Sequence, residues 1–379
     1  MKKALITAHV AYAIELFNIP NIKLLQSLGY EVTVACNFKD RSSLSEEKVK
    51  GLIEKLDALG VKHYHIDFQR NPLKTANIKS FFALKRLLKK EKFDLIHCHT
   101  PVGGIITRLA AAPFRKKGTR VIYTAHGFHF FSGAPKKNWL IYYTAEKFCS
   151  YLTDVLITIN KEDLATAKEK LATKSVFYIP GIGIDSEELG NTEVDKAEKK
   201  KELSLPKESR VILCVGELSE RKNQQTAIKA LSLLKTKNTH LLLAGIGEKQ
   251  QELEALSEEL GVKDKVHFLS FRQDIAELCH LCDVFVFPSL QEGLPVALME
   301  AMACAKAVVC SKIRGNVDLI DEGLGGYLLS PNDSEGFSER IDTLLCDEET
   351  LISMGEYNKD IAKQYDISIV TKLMKGIYS

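Results

Sequence analysis

Phe287-Pro288-Ser289-Leu290-Gln291-Glu292-Gly293-Leu294-Pro295-Val296-Ala297-Leu298-Met299-Glu300-Ala301-Met302-Ala303 follows directly on an apolar strand, Val284–Phe287. The stretch reads as strand, turn and apolar helix, the unit from which helix-covered parallel sheets are wound. Gly293 lets the backbone come close to a ligand, Pro295 favours a helix start, and the N–H groups just beyond it can face a phosphate. Two acids stand out, Glu292 in the turn and Glu300 in the helix. They suit the acid/base pair of a glycoside hydrolase poorly. An eight-residue helical span is about 12 Å long, whereas such pairs sit roughly 5 to 10 Å apart across one bond. Two acids with different tasks on one ligand is the better reading. The plain alternative is a surface acid plus a helix-capping acid.

Outward from this stretch the same alternation runs through the whole chain. Strands read at 4–7, 31–36, 62–66, 95–99, 120–124, 155–159 and 176–179, then at 211–215, 240–244, 266–269, 284–287 and 307–310. Helices read between them, at 19–28, 45–59, 78–90, 103–112, 138–151 and 161–170 in the first half, with a helical tail at the end. The pattern predicts parallel sheets covered on both faces, an α/β class. Residues 186–207 are polar and rich in Glu and Lys, with Pro206 at their end, and read as a linker. The expected division is a first doubly wound domain over 1–185 and a second over 208–360. A C-terminal helix over 361–379 is expected to pack back on the first domain. In such sheets ligands bind at the carboxyl ends of the strands, which makes a cleft between the two domains the expected site.

Composition narrows the class. The chain has 379 residues, of which 45% are apolar and 27% charged, an ordinary soluble balance long enough for two domains. Nine cysteines, an odd number without a spacing framework, point to a reduced, cytoplasmic protein. His97-Cys98-His99 and Cys279-His280-Leu281-Cys282 invite a metal reading, but strand alternation separates Cys98 from its flanking histidines and neither cluster has a partner at zinc spacing. Met1-Lys2-Lys3 and the apolar residues after it resemble a signal peptide only until His9 and Glu15 interrupt them, so a buried first strand is expected. No apolar run reaches the length of a membrane span. Net charge is +3, but residues 1–190 carry 29 Lys/Arg against 18 Asp/Glu and the remainder 23 against 31. The basic half suits an anionic partner. Nucleic acid is disfavoured because no recognition motif accompanies the charge; a membrane surface or a diphosphate-bearing acceptor fits better.

Five further segments fall at expected strand ends. Val215-Gly216-Glu217-Leu218-Ser219-Glu220-Arg221-Lys222-Asn223 supplies two adjacent cations. Leu243-Ala244-Gly245-Ile246-Gly247 is a glycine-rich turn, but it lacks the third glycine and the later acid of a dinucleotide fingerprint. Leu269-Ser270-Phe271-Arg272-Gln273-Asp274, Tyr123-Thr124-Ala125-His126-Gly127-Phe128-His129-Phe130 and Ser311-Lys312-Ile313-Arg314-Gly315-Asn316 complete the set. In their order and spacing, together with Glu292 and Glu300, these segments resemble the retaining glycosyltransferases of family 4. That family has the GT-B fold of two facing Rossmann-like domains with an interdomain cleft, and the resemblance runs from the first strand to the C-terminal helix. The Tyr123–Phe130 segment, with Gly133-Ala134-Pro135 soon after, looks like the branch that builds bacterial capsular and exopolysaccharide repeat units.

The resemblance implies roles. Glu300 is to bond ribose hydroxyls of a UDP-sugar donor and Lys222 to neutralise its diphosphate, beside Gly216. The backbone near Phe271 and Arg272 is to meet the base, while Glu292 with Gly293, Leu294 and Pro295 holds the sugar. His126 is to reach the donor sugar from the first domain. Retention by front-face attack, assisted by the leaving phosphate, needs no enzymic nucleophile. No cofactor is implied, and metal is disfavoured because Asp-x-Asp occurs nowhere in the chain. The implied acceptor is a polyprenyl-diphosphate-linked saccharide, handled at the inner face of the membrane by a peripheral protein. A soluble or protein acceptor, or a sugar-nucleotide-binding subunit without activity, are the alternatives. Where the family usually has an arginine after the phosphate-loop glycine, this chain has Glu217; Arg221 is the expected substitute, and Glu217 either points away or orients a cation. The loop 8–11 after the first strand also departs from the family's paired glycines. His9 and His99 are acceptor-side candidates, His99 being equally readable as structural. The aromatic segment Phe128, Phe130, Phe131, Trp139, Tyr142 and Tyr143, with Lys136 and Lys137, reads either as a membrane-interface loop or as core packing. Phe81, Phe82, Leu84, Leu87 and Leu88 with Lys85, Arg86, Lys89, Lys90 and Lys92 read as an amphipathic basic helix, which either packs its apolar side inward and solvates the rest or meets a membrane surface.

Overall fold

Strand order fixes where a ligand can sit, and both sheets have the same order. The computed structural model describes residues 1–40 and 44–379. The first sheet contains β1 (Lys2–Val10), β2 (Tyr30–Asn37), β3 (Lys62–His65), β4 (Leu95–His99), β5 (Arg120–Ala125), β6 (Val155–Thr158) and β7 (Ser175–Tyr178), all parallel, ordered β3-β2-β1-β4-β5-β6-β7. The second contains β8 (Arg210–Val215), β9 (Thr239–Ala244), β10 (Val266–Phe268), β11 (Val284–Phe287), β12 (Ala307–Ser311) and β13 (Gly326–Leu329), again parallel, ordered β10-β9-β8-β11-β12-β13. Each order reverses once, between β1 and β4 and between β8 and β11. Loops leaving neighbouring strands diverge at such a switch point and open a crevice.

Strands β4, β9, β11 and β12 are buried along their length because helices cover both faces, which is why they read as apolar runs without alternation. The chain divides into two units, 1–179 with 370–379 and 180–369. In the first, one face of the sheet packs under helices Ala11–Ser27 and Glu46–Ala58 together with Val370, Met374, Ile377 and Tyr378 of the last helix, Ile367–Tyr378. The other face packs under helices Ala76–Glu91 and Pro101–Arg115.

Three local readings change. The expected loop 8–11 is not a loop: β1 runs to Val10 and the next helix begins at Ala11, with Ala8, Val10 and Ala11 all buried. Strand β13 escapes the sequence because it opens on glycine. A Cβ at Gly326 would lie 2.0 Å from the Val308 carbonyl oxygen, so only glycine permits that pairing. The segment 186–207 is not a linker but part of the second unit. It forms helices Ser186–Gly190 and Lys196–Glu202, capped by the carboxylates of Asp185 and Asp195.

One of its lysines, with Glu202, belongs to an ion-pair cluster, which composition alone does not reveal. Lys199, buried, lies 2.6 Å from Asp274, 2.7 Å from Glu277 and 2.9 Å from Glu202, and Arg272 binds both Glu202 and Asp274. Removing Lys199 leaves Glu277 without that cation, and Glu202 and Asp274 with Arg272 alone. Lys199→Ala should lower the stability of this unit by about 1–3 kcal/mol in urea unfolding, and added salt should recover part of the loss.

Candidate functional site

At the second switch point, β8 ends on Gly216, whose φ of 149° turns the chain towards the short 3-10 turn Glu220–Lys222. Asn223 follows in the left-handed region, φ 56°, and its side-chain amide donates to the Pro288 carbonyl at 3.0 Å and the Pro331 carbonyl at 2.8 Å. These bonds tie the cation-bearing loop to the end of β11. The Leu290 N–H adds another, donating to the Arg221 carbonyl at 2.8 Å.

That seam brings both cations onto one carboxylate. Lys222 Nζ lies 2.8 Å and Arg221 Nη1 3.0 Å from Glu292 Oε1, and Glu292 is only 8% exposed. Lys222 also sits 4.6 Å over the Phe287 ring, while Arg221 donates to the Gln291 carbonyl at 3.1 Å and stays substantially exposed. The Arg314 Nε donates to the Glu292 carbonyl at 3.2 Å. Glu217 is exposed and among the described residues pairs with neither cation, while its carbonyl accepts from Gln224 at 2.9 Å. The glycines of neighbouring loops serve close backbone contact. A Cβ at Gly245 would stand 2.0 Å from the Gly216 carbonyl oxygen, and one at Gly315 2.5 Å from that of Gly293.

Beyond Glu292, the chain enters helix Val296–Ala303 through buried Leu294 and Pro295. Glu300 lies in its second turn. Its carboxylate makes no hydrogen bond or ion pair among the described residues, and burial, with the nearby Cys304 thiol, pushes its pKa up to about 7. A half-hidden carboxylate without a partner is costly to the fold and useful to a ligand with hydroxyl donors. At the end of β10, Phe271 is exposed, whereas the Arg272 guanidinium is held by Asp274 and Glu202, so only its backbone is available.

In the first unit a chain of rings lies beside the other switch point. His126 Nε2 and His99 Nδ1 are 3.0 Å apart, and Phe17 stacks on His126 at 4.3 Å. His97 lies against His99 with ring centroids 4.1 Å apart, and its own nitrogens bond the Tyr378 hydroxyl at 2.7 Å and the Thr124 hydroxyl at 2.8 Å. Burial pushes His126 down to about 4 and His97 to about 3, and holds His99 well below its ordinary value. All three are neutral at physiological pH. His126 Nδ1 is buried without a hydrogen-bond partner among the described residues. His9 is at the end of β1, its backbone N–H donating to Thr100 Oγ1 at 3.1 Å and its pKa lowered by burial and by Arg70.

Known proteins resemble this chain in sequence and in fold. Residues 195–361 match the model of glycosyl transferases group 1, and residues 6–160 that of the glycosyl transferase 4-like family. The chain is 35% identical to the putative glycosyltransferase EpsD of Bacillus subtilis, over 100% of this chain and 96% of the relative. The chain belongs to these glycosyltransferases. It is also 30% identical to the UDP-Gal:alpha-D-GlcNAc-diphosphoundecaprenol alpha-1,3-galactosyltransferase of Escherichia coli, over 82% of this chain and 81% of the relative. Among solved structures, Anabaena HepE in complex with UDP and glucose superposes with a TM-score of 0.81 at 19% identity, covering 100% of this chain and 99% of that one. At that identity the likeness is one of fold, and the fold is GT-B.

Within the second unit of this glycosyltransferase, the predicted residues Gly216, Arg221, Lys222, Glu292 and Gly293 come together at one switch point, with Leu294, Pro295 and Glu300 on the helix that follows. Phe271 and Arg272 stand at the end of β10, the far edge of that sheet. His99 and His126 meet in the first unit. Sequence reasoning missed Asn223, Phe17 and Tyr378. Asn223 had a usable signal, since asparagine tolerates the left-handed turn that closes such a loop. Phe17 and Tyr378 had none, because they lie about a hundred or more positions from the histidines they serve.

Two outcomes follow for stability. The raised Glu300 pKa means that the folded protein loses stability as pH rises from the carboxyl's unfolded value through about 7. Glu300→Gln should therefore be more stable than wild type by about 1–3 kcal/mol at pH 8, with the difference gone near pH 4, in thermal unfolding. The histidines carry the opposite sign: their depressed values stabilise above the unfolded value near 6.5, and that contribution is lost as pH falls towards 4. Tyr378→Phe, which strands a buried His97 nitrogen, should cost about 1–3 kcal/mol at neutral pH.

Proposed function

We propose that this glycosyltransferase moves a hexose or N-acetylhexosamine from a UDP-sugar to a polyprenyl-diphosphate-linked saccharide in the assembly of a bacterial surface polysaccharide. The transfer retains anomeric configuration and needs no metal. The observation that carries the reading is the meeting of Lys222, Arg221 and Glu292 at the switch point of the second sheet. Breaking the anomeric bond leaves negative charge on the departing diphosphate. Two fixed cations, and the free N–H groups at the start of helix Val296–Ala303, stabilise that charge as it develops. They do the work a bridging metal does elsewhere.

Glu292 then has its carboxylate ready to accept hydrogen bonds from sugar hydroxyls, already placed beside the cations that hold the phosphates. Glu300, without a protein partner, takes the ribose hydroxyls. His126 offers the sugar a neutral imidazole, which can bond a hydroxyl without adding charge. Retention follows if the acceptor hydroxyl attacks from the face the diphosphate leaves and gives its proton to a leaving phosphate oxygen. The UDP donor is supported by the E. coli relative, named for UDP-Gal, and by HepE, solved with UDP. The acceptor class is supported by the diphosphoundecaprenol in that relative's name. Among the described residues no helix is long and apolar enough to cross a membrane. The reading makes the enzyme a peripheral protein of the inner membrane face, where such an acceptor is held.

With a panel of UDP-sugars and a lipid-linked acceptor, one donor should release UDP at an undiminished rate in EDTA. The product should keep the donor's anomeric configuration by NMR. Glu292→Ala should lower the rate by about a hundredfold or more, and Arg221→Ala by about tenfold. Loss of activity in EDTA, an inverted product, or full activity of Glu292→Ala would each contradict the proposal.

A further inference from the structure

One face of the first unit is apolar and basic at once. Ile96 and Cys98, two residues apart on β4, point to the same side of the sheet. Ile96 packs in a core with helices Ala76–Glu91 and Pro101–Arg115, and Cys98 in a core with Phe128, Phe130 and the rings of Trp139, Tyr142 and Tyr143. The helical segments 76–91, 101–115 and 136–150 therefore lie side by side on one face, with Pro101–Arg115 in contact with both neighbours.

The aromatic residues that the sequence offers as membrane-facing are mostly not at the surface. Phe128 and Phe130 are buried, and Trp139, Tyr142 and Tyr143 pack against them. A π-helical turn, Trp139–Tyr143, interrupts the helix there. Its wider turn admits an extra residue, so the rings pack inward while Leu140 and Ile141 are left outside, 74% and 57% exposed. Phe148 and Tyr151 continue this exposed row, and Ile78 and Phe82 form another on helix Ala76–Glu91. Every exposed charged side chain on segments 74–92, 101–118 and 136–151 is a lysine or arginine. The two acids in these segments are withdrawn: Glu91 pairs with Lys3 and Glu146, buried, with Arg108. Single exposed apolar side chains are ordinary, but two rows of them on segments whose exposed charged side chains are all positive are not.

We propose that this face docks on a bilayer bearing anionic headgroups. Leu140, Ile141 and Phe148 enter the boundary between headgroups and acyl chains, and the surrounding lysines meet lipid phosphates. The inference rests on the peripheral-membrane reading above and adds which face meets the lipid and by what chemistry.

Sedimentation with phosphatidylcholine vesicles, with and without about 30 mol % phosphatidylglycerol, tests it. Wild type should bind the anionic vesicles at low salt, and about tenfold less with phosphatidylcholine alone or in high salt. L140N/I141N and K136Q/K137Q should each lose most of that binding while keeping wild-type thermal unfolding and UDP release. Leu324→Asn, at an exposed apolar position of the second unit, should bind as wild type. If wild type itself ignores anionic vesicles, the peripheral reading falls. If wild type binds and the Leu140/Ile141 and Lys136/Lys137 variants bind equally well, this face is not the one. If the apolar substitutions instead abolish a concentration-dependent dimer in sedimentation equilibrium and leave lipid binding alone, the occupant is a second copy of the chain and the proposal is overturned.

Discussion

A carboxylate that is 8% exposed has to be neutralised where it stands, and Glu292 is neutralised by two cations from another strand's loop. Burying an unpaired charge costs several kcal/mol, so the ends of β8 and β11 are held together by electrostatics as much as by the sheet. Much else in the second unit serves that meeting. Gly216 turns the chain so that the loop can return, Asn223 fastens it to Pro288 and Pro331, and Gly245 and Gly315 let the flanking loops close to backbone contact. The arrangement is permitted only because β8 and β11 are neighbours at the switch point, a property of strand order rather than of any one residue.

The first unit is built differently at its switch point. It gathers three imidazoles there, buried deeply enough that they stay neutral. The chain's last helix contributes to this, with Tyr378 bonding His97 from 281 positions away. The second unit thus gathers charged groups at its switch point, and the first gathers neutral imidazoles beside its own.

Much of this was legible in the sequence, for identifiable reasons. Strands buried on both faces announce themselves as short apolar runs, and the turns at 216–223 and 288–295 carry their glycines and charges in contiguous segments. Pairing between segments was not legible. Nothing local says that Lys222 and Arg221 converge on Glu292, or that Lys199 collects Asp274 and Glu277, and the second case misled outright by making a folded segment look like a linker. Whether Glu217 points away or orients a cation was not legible either; it is exposed, and among the described residues Arg221 and Lys222 pair with Glu292 instead. The exposed Leu140 and Ile141 were hidden for a similar reason. A π turn changes the period of a helix, and periodicity is what a sequence reader relies on.

In the proposed reaction Lys222 and Arg221 serve both Glu292 and a nucleotide diphosphate. Calorimetric titration of UDP into wild type, Lys222→Ala, Glu292→Gln and the double variant tests it most directly. Lys222→Ala should weaken UDP binding about tenfold or more, whereas Glu292→Gln, which frees the cations, should leave it unchanged or tighten it. The two effects should not add, since both act through the same ammonium group. UDP binding to Lys222→Ala with wild-type affinity would contradict the account.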